Sequence, residues 1–285
     1  MPEALACALQ QAPAGLDALQ PHRVEVFGEP DVPAAGEARE DMLAAEVPVA
    51  LVFNGISHAV MMATPQDLEA FALGFAISEG ILASAVDCRG IELRQGQASH
   101  GLPAVEVHLE ISARCFAQLK WRRRSLAGRT GCGVCGIESL AALELVPPAL
   151  PAAPWLARVD APAVLHALSG LPAWQKLNAQ AGAIHAAGWA GLDGALTDVM
   201  EDVGRHNALD KLLGTLARVG RLRAPGFVVM SSRASHELVA KCARAGVSAL
   251  ATISAPTALG VRAAELAGLR LWGLCRAPRA VRYTR

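Results

Sequence analysis

Phe227-Val-Val-Met230, Val247-Ser-Ala-Leu-Ala-Thr-Ile253 and Leu269-Arg-Leu-Trp-Gly-Leu274 are three short apolar runs, separated by two stretches of helical character at 235–245 and 257–267. Gly246 and Gly268 stand where each helix must stop, since glycine adopts the left-handed conformation that ends a helix. Strands alternating with helices of this length indicate βαβ units and a parallel sheet. Ligands of such sheets bind beyond the carboxyl ends of the strands. Here those ends read Ser231-Ser232-Arg233, Ser254-Ala255-Pro256-Thr257 and Cys275-Arg276, all polar or cationic. The predicted fold class is α/β.

Upstream, Asn54-Gly55 separates Val47-Pro-Val-Ala-Leu-Val-Phe53 from Ile56-Ser-His-Ala-Val-Met-Met62. A type I′ turn needs positive φ at both central residues, which Asn-Gly supplies, so a hairpin is predicted. Thr64-Pro65-Gln66-Asp67 then opens a helix, with Thr64 as cap, Pro65 in the first turn and Asp67 against the dipole. Leu68, Phe71 and Phe75 share one face, and Gly80 ends it. Ala104-Val-Glu-Val-His-Leu109 alternates as a half-buried strand does. These pieces predict a smaller N-terminal α+β domain over 41–125. Residues 1–40, rich in Ala, Pro and Gln, read as a loose leader. Residues 126–165, with Pro147, Pro148, Pro151 and Pro154, read as a loop and connector. Residues 166–285 form the α/β domain.

The 285 residues suffice for two ordinary domains. Formal net charge is +0, so global charge selects no partner, nucleic acid included. Local charge does: from Leu216 onward twelve Lys and Arg face only Glu237 and Glu265, a balance that suits an anionic ligand. The seven cysteines are odd in number and scattered, which argues against a secreted disulfide framework and for a reducing compartment. The N-terminus lacks the basic region of a signal peptide. No apolar run reaches the roughly 18 residues of a membrane span. A cytoplasmic location without a membrane partner is expected.

Chemistry concentrates in Gly128-Arg129-Thr130-Gly131-Cys132-Gly133-Val134-Cys135-Gly136, just after Arg122, Arg123 and Arg124. Nearby arginines favour the thiolate, which is the nucleophile. Three chemistries fit the pair: sulfur relay through a persulfide, thiol–disulfide exchange, or zinc binding. Zinc needs two further ligands, and no second CxxC exists. A second candidate is Glu201-Asp202-Val203-Gly204-Arg205-His206-Asn207-Ala208-Leu209-Asp210-Lys211. There Arg205 and the free amides of a helix beginning near His206 could hold an anion, and His206 could exchange a proton. The alternative is a capped helix with surface charge pairs. His185, in an apolar neighbourhood, reads as a satisfied core histidine, and His236 beside Glu237 is ambiguous. Arg276 and Arg279 at the end of the last strand could grip a pyrophosphate bidentately.

Taken in order, the Asn54-Gly55 hairpin, Leu73-Gly74-Phe75, Ser78-Glu79-Gly80, the Cys132/Cys135 loop, the 201–211 run, Glu237 with Lys241, and Ser254-Ala255-Pro256-Thr257 resemble the FdhD family, the formate dehydrogenase accessory sulfurtransferases. The resemblance implies that sulfur passes from a cysteine desulfurase to the molybdenum (or tungsten) bis-guanine-dinucleotide pterin cofactor before that cofactor enters formate dehydrogenase. It implies that Cys132 bears the persulfide and Cys135 assists. It also implies that Leu274, Cys275, Arg276, Ala277, Pro278 and Arg279 contact the cofactor, which is cargo rather than a permanent group. The C-terminal domain would be cytidine-deaminase-like and the protein a homodimer. No metal site is expected, because the His-x-Glu and Pro-Cys-x-x-Cys pattern of zinc deaminases is missing. The chain departs from the family pattern at Ala181, Ala183 and Ser232, and at Ala277-Pro278, where Gly-Asp is usual.

Overall fold

The structure is a computed structural model that describes residues 16–28, 36–124 and 145–285, with side chains of 122–124 excepted. Cys132 and Cys135 lie outside the described residues. Strands β1 (Leu19–Val26) and β2 (Glu37–Ala44) pair antiparallel as a two-stranded ribbon. Sequence reading assigned residues 19–26 to a loose leader; the pairing corrects this. β2, Glu-Ala-Arg-Glu-Asp-Met-Leu-Ala, is mostly exposed and carries almost no apolar alternation, so no strand signal was there to find.

β3 (Val47–Phe53) and β4 (Ile56–Ala63) form the predicted hairpin, with Asn54 at φ 45° and Gly55 at φ 79°. Asn54 also bonds both backbone groups of Ile111, at 2.7 and 3.1 Å. Helix α1 (Leu68–Ser78) follows, then β5 (Cys88–Gln97), β6 (Pro103–Ile111) and α2 (Ala113–Arg124). The four strands run in the order β4-β3-β6-β5, with β3 and β6 parallel.

After the described chain resumes come α3 (Ala161–Gly170), the short α4 (Asn178–Ala181), β7 (His185–Ala190), β8 (Leu196–Asp202) and α5 (Arg205–Arg218). The alternating segment then gives β9 (Phe227–Met230), α6 (His236–Ala245), β10 (Ala249–Thr252), α7 (Ala258–Ala267), β11 (Arg270–Arg276) and β12 (Arg279–Arg282). Ser235 and Thr257 cap α6 and α7 through their hydroxyls, and Gly246 and Gly268 end them at φ 82° and 70°. β9, β10 and β11 are parallel, as expected. The six-stranded sheet as a whole is mixed, in the order β12-β11-β10-β9-β7-β8, because β7, β8 and β12 join antiparallel.

Helices α5, α6 and α7 pack on one face of this sheet and α3 on the other. α1 lies between the four-stranded sheet and α5. Ten of its eleven residues are buried, against the single apolar face read from Leu68, Phe71 and Phe75. A helix apolar all round is one buried all round. One continuous core therefore runs from Val49 and Phe53 through Phe71 and Leu212 to Leu250 and Leu271.

The helix start differs from expectation too. Asp67, at φ 55°, occupies the cap position of α1 without a side-chain cap bond. Thr64 is fully buried and faces elsewhere: its amide donates to Asp202 Oδ2 at 3.1 Å and its hydroxyl accepts from Val203 N at 3.1 Å. A remote partner 138 residues away outcompetes the local cap.

α1 and α5 cross at two glycines. A Cβ at Gly74 would overlap the Asp210 carbonyl, lying 2.6 Å from its carbon and 2.7 Å from Gly214 N. A Cβ at Gly214 would lie 2.7 Å from the Ala70 carbonyl carbon and 2.9 Å from Gly74 N. Backbone meets backbone, so neither neighbour can rotate away. Gly74→Ala is expected to destabilise the protein by about 1–3 kcal/mol, the range of overpacked cores, read as a lowered denaturant midpoint. Gly170→Ala, whose nearest neighbour would be Leu196 Cδ1 at 3.8 Å, should change it by less than about 0.5 kcal/mol. Equal midpoints for the two variants would contradict the close crossing.

Candidate functional site

Because β9, β10 and β11 are parallel and β7 is antiparallel to β9, the carboxyl ends of the first three share an edge with the start of β7 and the end of β8. His185, Asp202, Ser231, Ser254 and Arg276 thus gather on one rim, joined by the first turns of α5 and α6. The turns are knitted by main-chain bonds: Ser254 N to Ser232 O (3.4 Å), Leu274 N to Ser254 O (3.2 Å) and Thr257 N to Ala234 O (2.9 Å).

Most of the 201–211 run proves structural. Glu201 accepts from Leu177 N and Asn178 N, both at 2.9 Å. Asp202 and Lys211, both fully buried, pair at 2.8 Å. Asn207 donates to Met62 O (2.7 Å) and to Asp202 Oδ1 (3.0 Å). Asp210 takes Lys241 Nζ at 2.8 Å and the Ser78 hydroxyl at 2.7 Å. Lys241 also reaches Glu79 at 2.7 Å. Burial opposes the Lys241 charge, but the Asp210 and Glu79 carboxylates outweigh it and raise its pKa. The surface charge pairs offered as the alternative reading are replaced by two separate buried pairs, Asp202–Lys211 and Asp210–Lys241.

Arg205 and His206 are left to the rim. His206 Nε2 lies 2.9 Å from Glu237 Oε2, an ion contact poorly aligned for a hydrogen bond. Burial works against the Glu237 charge, yet close His206, with Lys241 and Arg205, holds the carboxyl below its usual range. Across the corner, His185 Nδ1 is 3.3 Å from Ser231 Oγ, which accepts from Ala186 N at 2.9 Å. Burial first, then the charges of Arg205 and His206, push the His185 pKa below 6.5, against the pull of Asp202. Sequence reading took His185 for a core histidine; strand pairing sets it opposite Asp202 at the edge of this cluster. Ser231 was named at a strand end, but nothing local linked it to a histidine 46 residues away.

The segment Leu274, Cys275, Arg276, Ala277, Pro278 and Arg279 forms the end of β11 and its turn into β12. A register shift lies between Gly273 and Arg276, and Leu274 sits at φ 52°. Arg276, Ala277, Pro278 and Arg279 are exposed, and Arg276 pairs across the turn with Arg279. Cys275 instead packs into the core beside Trp272, and burial pushes its thiol up to about 11. Its side chain thus points away from the exposed turn that Arg276 and Arg279 share.

His236 Nε2 bonds the Leu145 carbonyl at 2.8 Å, so the chain that returns from 125–144 enters the described structure at this rim. A cavity of about 400 Å³ lies elsewhere, lined by Ile77, Gly80, Arg114, Cys115 and Pro148, with Arg244 from the far end of α6. α6 spans about 15 Å at 1.5 Å per residue, so that cavity is remote from the titratable cluster. The rim is therefore the candidate site.

The depressed His185 pKa has a consequence for stability. Below 6.5 the unfolded chain binds a proton at this imidazole that the folded chain resists, so stability is full above 6.5 and declines as pH falls through it. Denaturant midpoints should fall between about pH 7.5 and about pH 5.5, the histidine range. His185→Gln should flatten part of that fall. An equally steep fall in the variant would contradict the placement of His185.

The model of the FdhD/NarQ family matches residues 44–285. The sulfur carrier protein FdhD of Burkholderia mallei is 54% identical over 252 residues, covering 87% of this chain and 90% of the relative. That of Chromobacterium violaceum is 56% identical over 246 residues, covering 86% and 88%. Among solved structures, a crystal structure from Desulfotalea psychrophila, described as that of a formate dehydrogenase accessory protein, superimposes with a TM-score of 0.66. It covers 94% of this chain and 98% of that one at 22% identity, which is a likeness of fold. With its matched region spanning the four-stranded and the six-stranded sheet, rim included, the chain belongs to the FdhD/NarQ family.

Proposed function

We propose that this protein is a sulfur carrier serving formate dehydrogenase. In this reading Cys132 attacks the sulfane sulfur of a cysteine desulfurase persulfide, and the desulfurase cysteine leaves as thiolate. The Cys132 persulfide then carries the sulfur to a molybdenum bis-guanine-dinucleotide cofactor, held as cargo at the rim before its insertion into the dehydrogenase. Release of that sulfur as sulfide takes two electrons. Cys135 supplies them by attacking Cys132 and closing a Cys132–Cys135 disulfide. The exposed turn with Arg276 and Arg279 receives the anionic cargo. A cytoplasmic homodimer with a deaminase-like C-terminal domain belongs to the same reading.

One observation carries it beyond family membership: the bond from His236 to Leu145. Nine residues lie between Cys135 and Leu145. An extended chain spans at most about 3.3–3.6 Å per residue, so the tether is long enough to bring either thiol to the strand ends. The rim is polar and cationic where a polyanion would sit, and in this reading the tether lets the thiols reach it.

The test is intact-protein mass after incubation with a cysteine desulfurase and cysteine. The wild type should gain one sulfur, Cys132→Ala none, and Cys135→Ser should load but fail to release. Full loading of Cys132→Ala would remove the persulfide assignment. A wild type that takes up no sulfur but catalyses disulfide exchange through both thiols would favour an oxidoreductase instead.

A further inference from the structure

The cavity of about 400 Å³ away from the rim takes no part in the chemistry described so far. Ile77, Ile81, Leu82 and Cys115, all buried, give it an apolar floor. One wall is α2, from which Arg114 and Gln118 line it. At about 3.6 residues per turn, Trp121 falls on the same stripe one turn further on, and it is 72% exposed. The other wall is the chain that returns after residue 144. That chain is held through Leu145 O to His236 and through Leu150 N to Ala267 O. It sets Pro148 on the cavity and leaves Val146, two residues earlier, 66% exposed. Large apolar side chains left in water beside an apolar hollow mark an interaction surface.

Charge gives the partner its sign. α2 holds five Lys and Arg and no Asp or Glu. Arg244 lines the cavity from α6 and has no ion pair or hydrogen bond among the described residues. The carboxylates of the adjoining segment are committed, Glu79 to Lys241 at 2.7 Å and Asp87 to Ser112 at 3.0 Å and Arg114 at 3.4 Å. The face is thus cationic around an apolar centre. A second copy meeting it face to face would set the cations of α2 against themselves. An acidic partner fits, and a self-pair does not.

We propose that this groove docks the protein that donates the sulfur, through an acidic segment that seats an apolar side chain in the cavity. Its two walls are the segments that flank the thiols in sequence. α2 ends eight positions before Cys132, and Val146 follows Cys135 by eleven. Eight residues span at most about 29 Å at the extended limit, so a donor seated between the walls holds its persulfide within reach of Cys132. Tryptophan and arginine in a pocket are the residues on which docking energy concentrates. The cations of α2 steer an acidic partner toward them. The identity of the donor, a cysteine desulfurase, rests on the carrier reading; the shape and charge of the groove do not.

The experiment measures the affinity of the full chain for a cysteine desulfurase by biolayer interferometry. Trp121→Ala and Arg244→Glu are each expected to weaken binding about tenfold or more, as loss of a central contact does. Leu102→Ala removes a side chain that is 59% exposed at the far end of β6, and should leave affinity within about twofold. Raising salt from about 0.05 M to about 0.5 M should weaken the wild-type complex, because exposed charges are then screened. In the wild type, hydrogen exchange over 113–121 and 145–150 should slow when desulfurase is added, a readout that needs no variant to fold. Affinity within about twofold of wild type in both groove variants, unchanged exchange over both segments, or no binding of the desulfurase would each overturn the docking site. Variants that alter self-association but not desulfurase affinity would assign the groove to a second copy and overturn it too. Sulfur loading of wild-type Cys132 from glutathione persulfide, which needs no docking, is read separately. A protein that loads from both donors but binds the desulfurase without Trp121 and Arg244 loses the docking site alone. One that binds through them but takes sulfur from neither donor loses the carrier reading alone.

Discussion

The architecture hangs on the buried pair of Asp202 and Lys211 at the base of α5. Both side chains are fully buried, and both are fully used. Lys211 Nζ gives its three hydrogens to Asp202 Oδ2, Thr64 O and Glu201 O. Asp202 accepts from Lys211, Thr64 N, Gly204 N and Asn207 Nδ2. A buried pair of this kind adds little net stability over an apolar substitute, but losing one member strands the other charge at a cost of about 3–5 kcal/mol. Its effect is on arrangement. Only one placement of the β4–α1 junction against the β8–α5 corner satisfies every group, and that placement fixes where Arg205 and His206 emerge.

A second buried cluster repeats the logic along the same helix. Asp210 on α5 meets Lys241 on α6, with Ser78 and Glu79 supplied from α1. The Gly74–Gly214 crossing makes this possible, because only backbone-to-backbone approach brings three helices within reach of one ammonium. Polar chemistry inside the core and close packing thus depend on each other. The rim inherits its geometry from both: α5 delivers Arg205 and His206, and α6 delivers His236 and Glu237.

What could be read in advance was what local physics decides. The Asn54-Gly55 hairpin, the stops at Gly246 and Gly268 and the parallel order of β9, β10 and β11 all follow from neighbouring residues. What could not be read needed partners far along the chain. Thr64 looked like a cap because its bond to Asp202 spans 138 positions. β2 was invisible because its exposed, charged sequence has no buried face to alternate against. His185 looked inert because Ser231 and Arg205 approach it only through the sheet. The residues pointed to the cysteine pair and to Arg276 and Arg279, and the resemblance suggested their roles, but neither could show that Cys275 turns inward while Arg276 is exposed.

The main-chain lacing of the three rim turns has an implication for how this surface varies between relatives. Ser232, Ser254 and Leu274 are stitched by amide and carbonyl groups that every residue except proline possesses. The contour of the rim is thus independent of which side chains decorate it. Side-chain exchanges at these turns can therefore change what the surface presents without remoulding its outline.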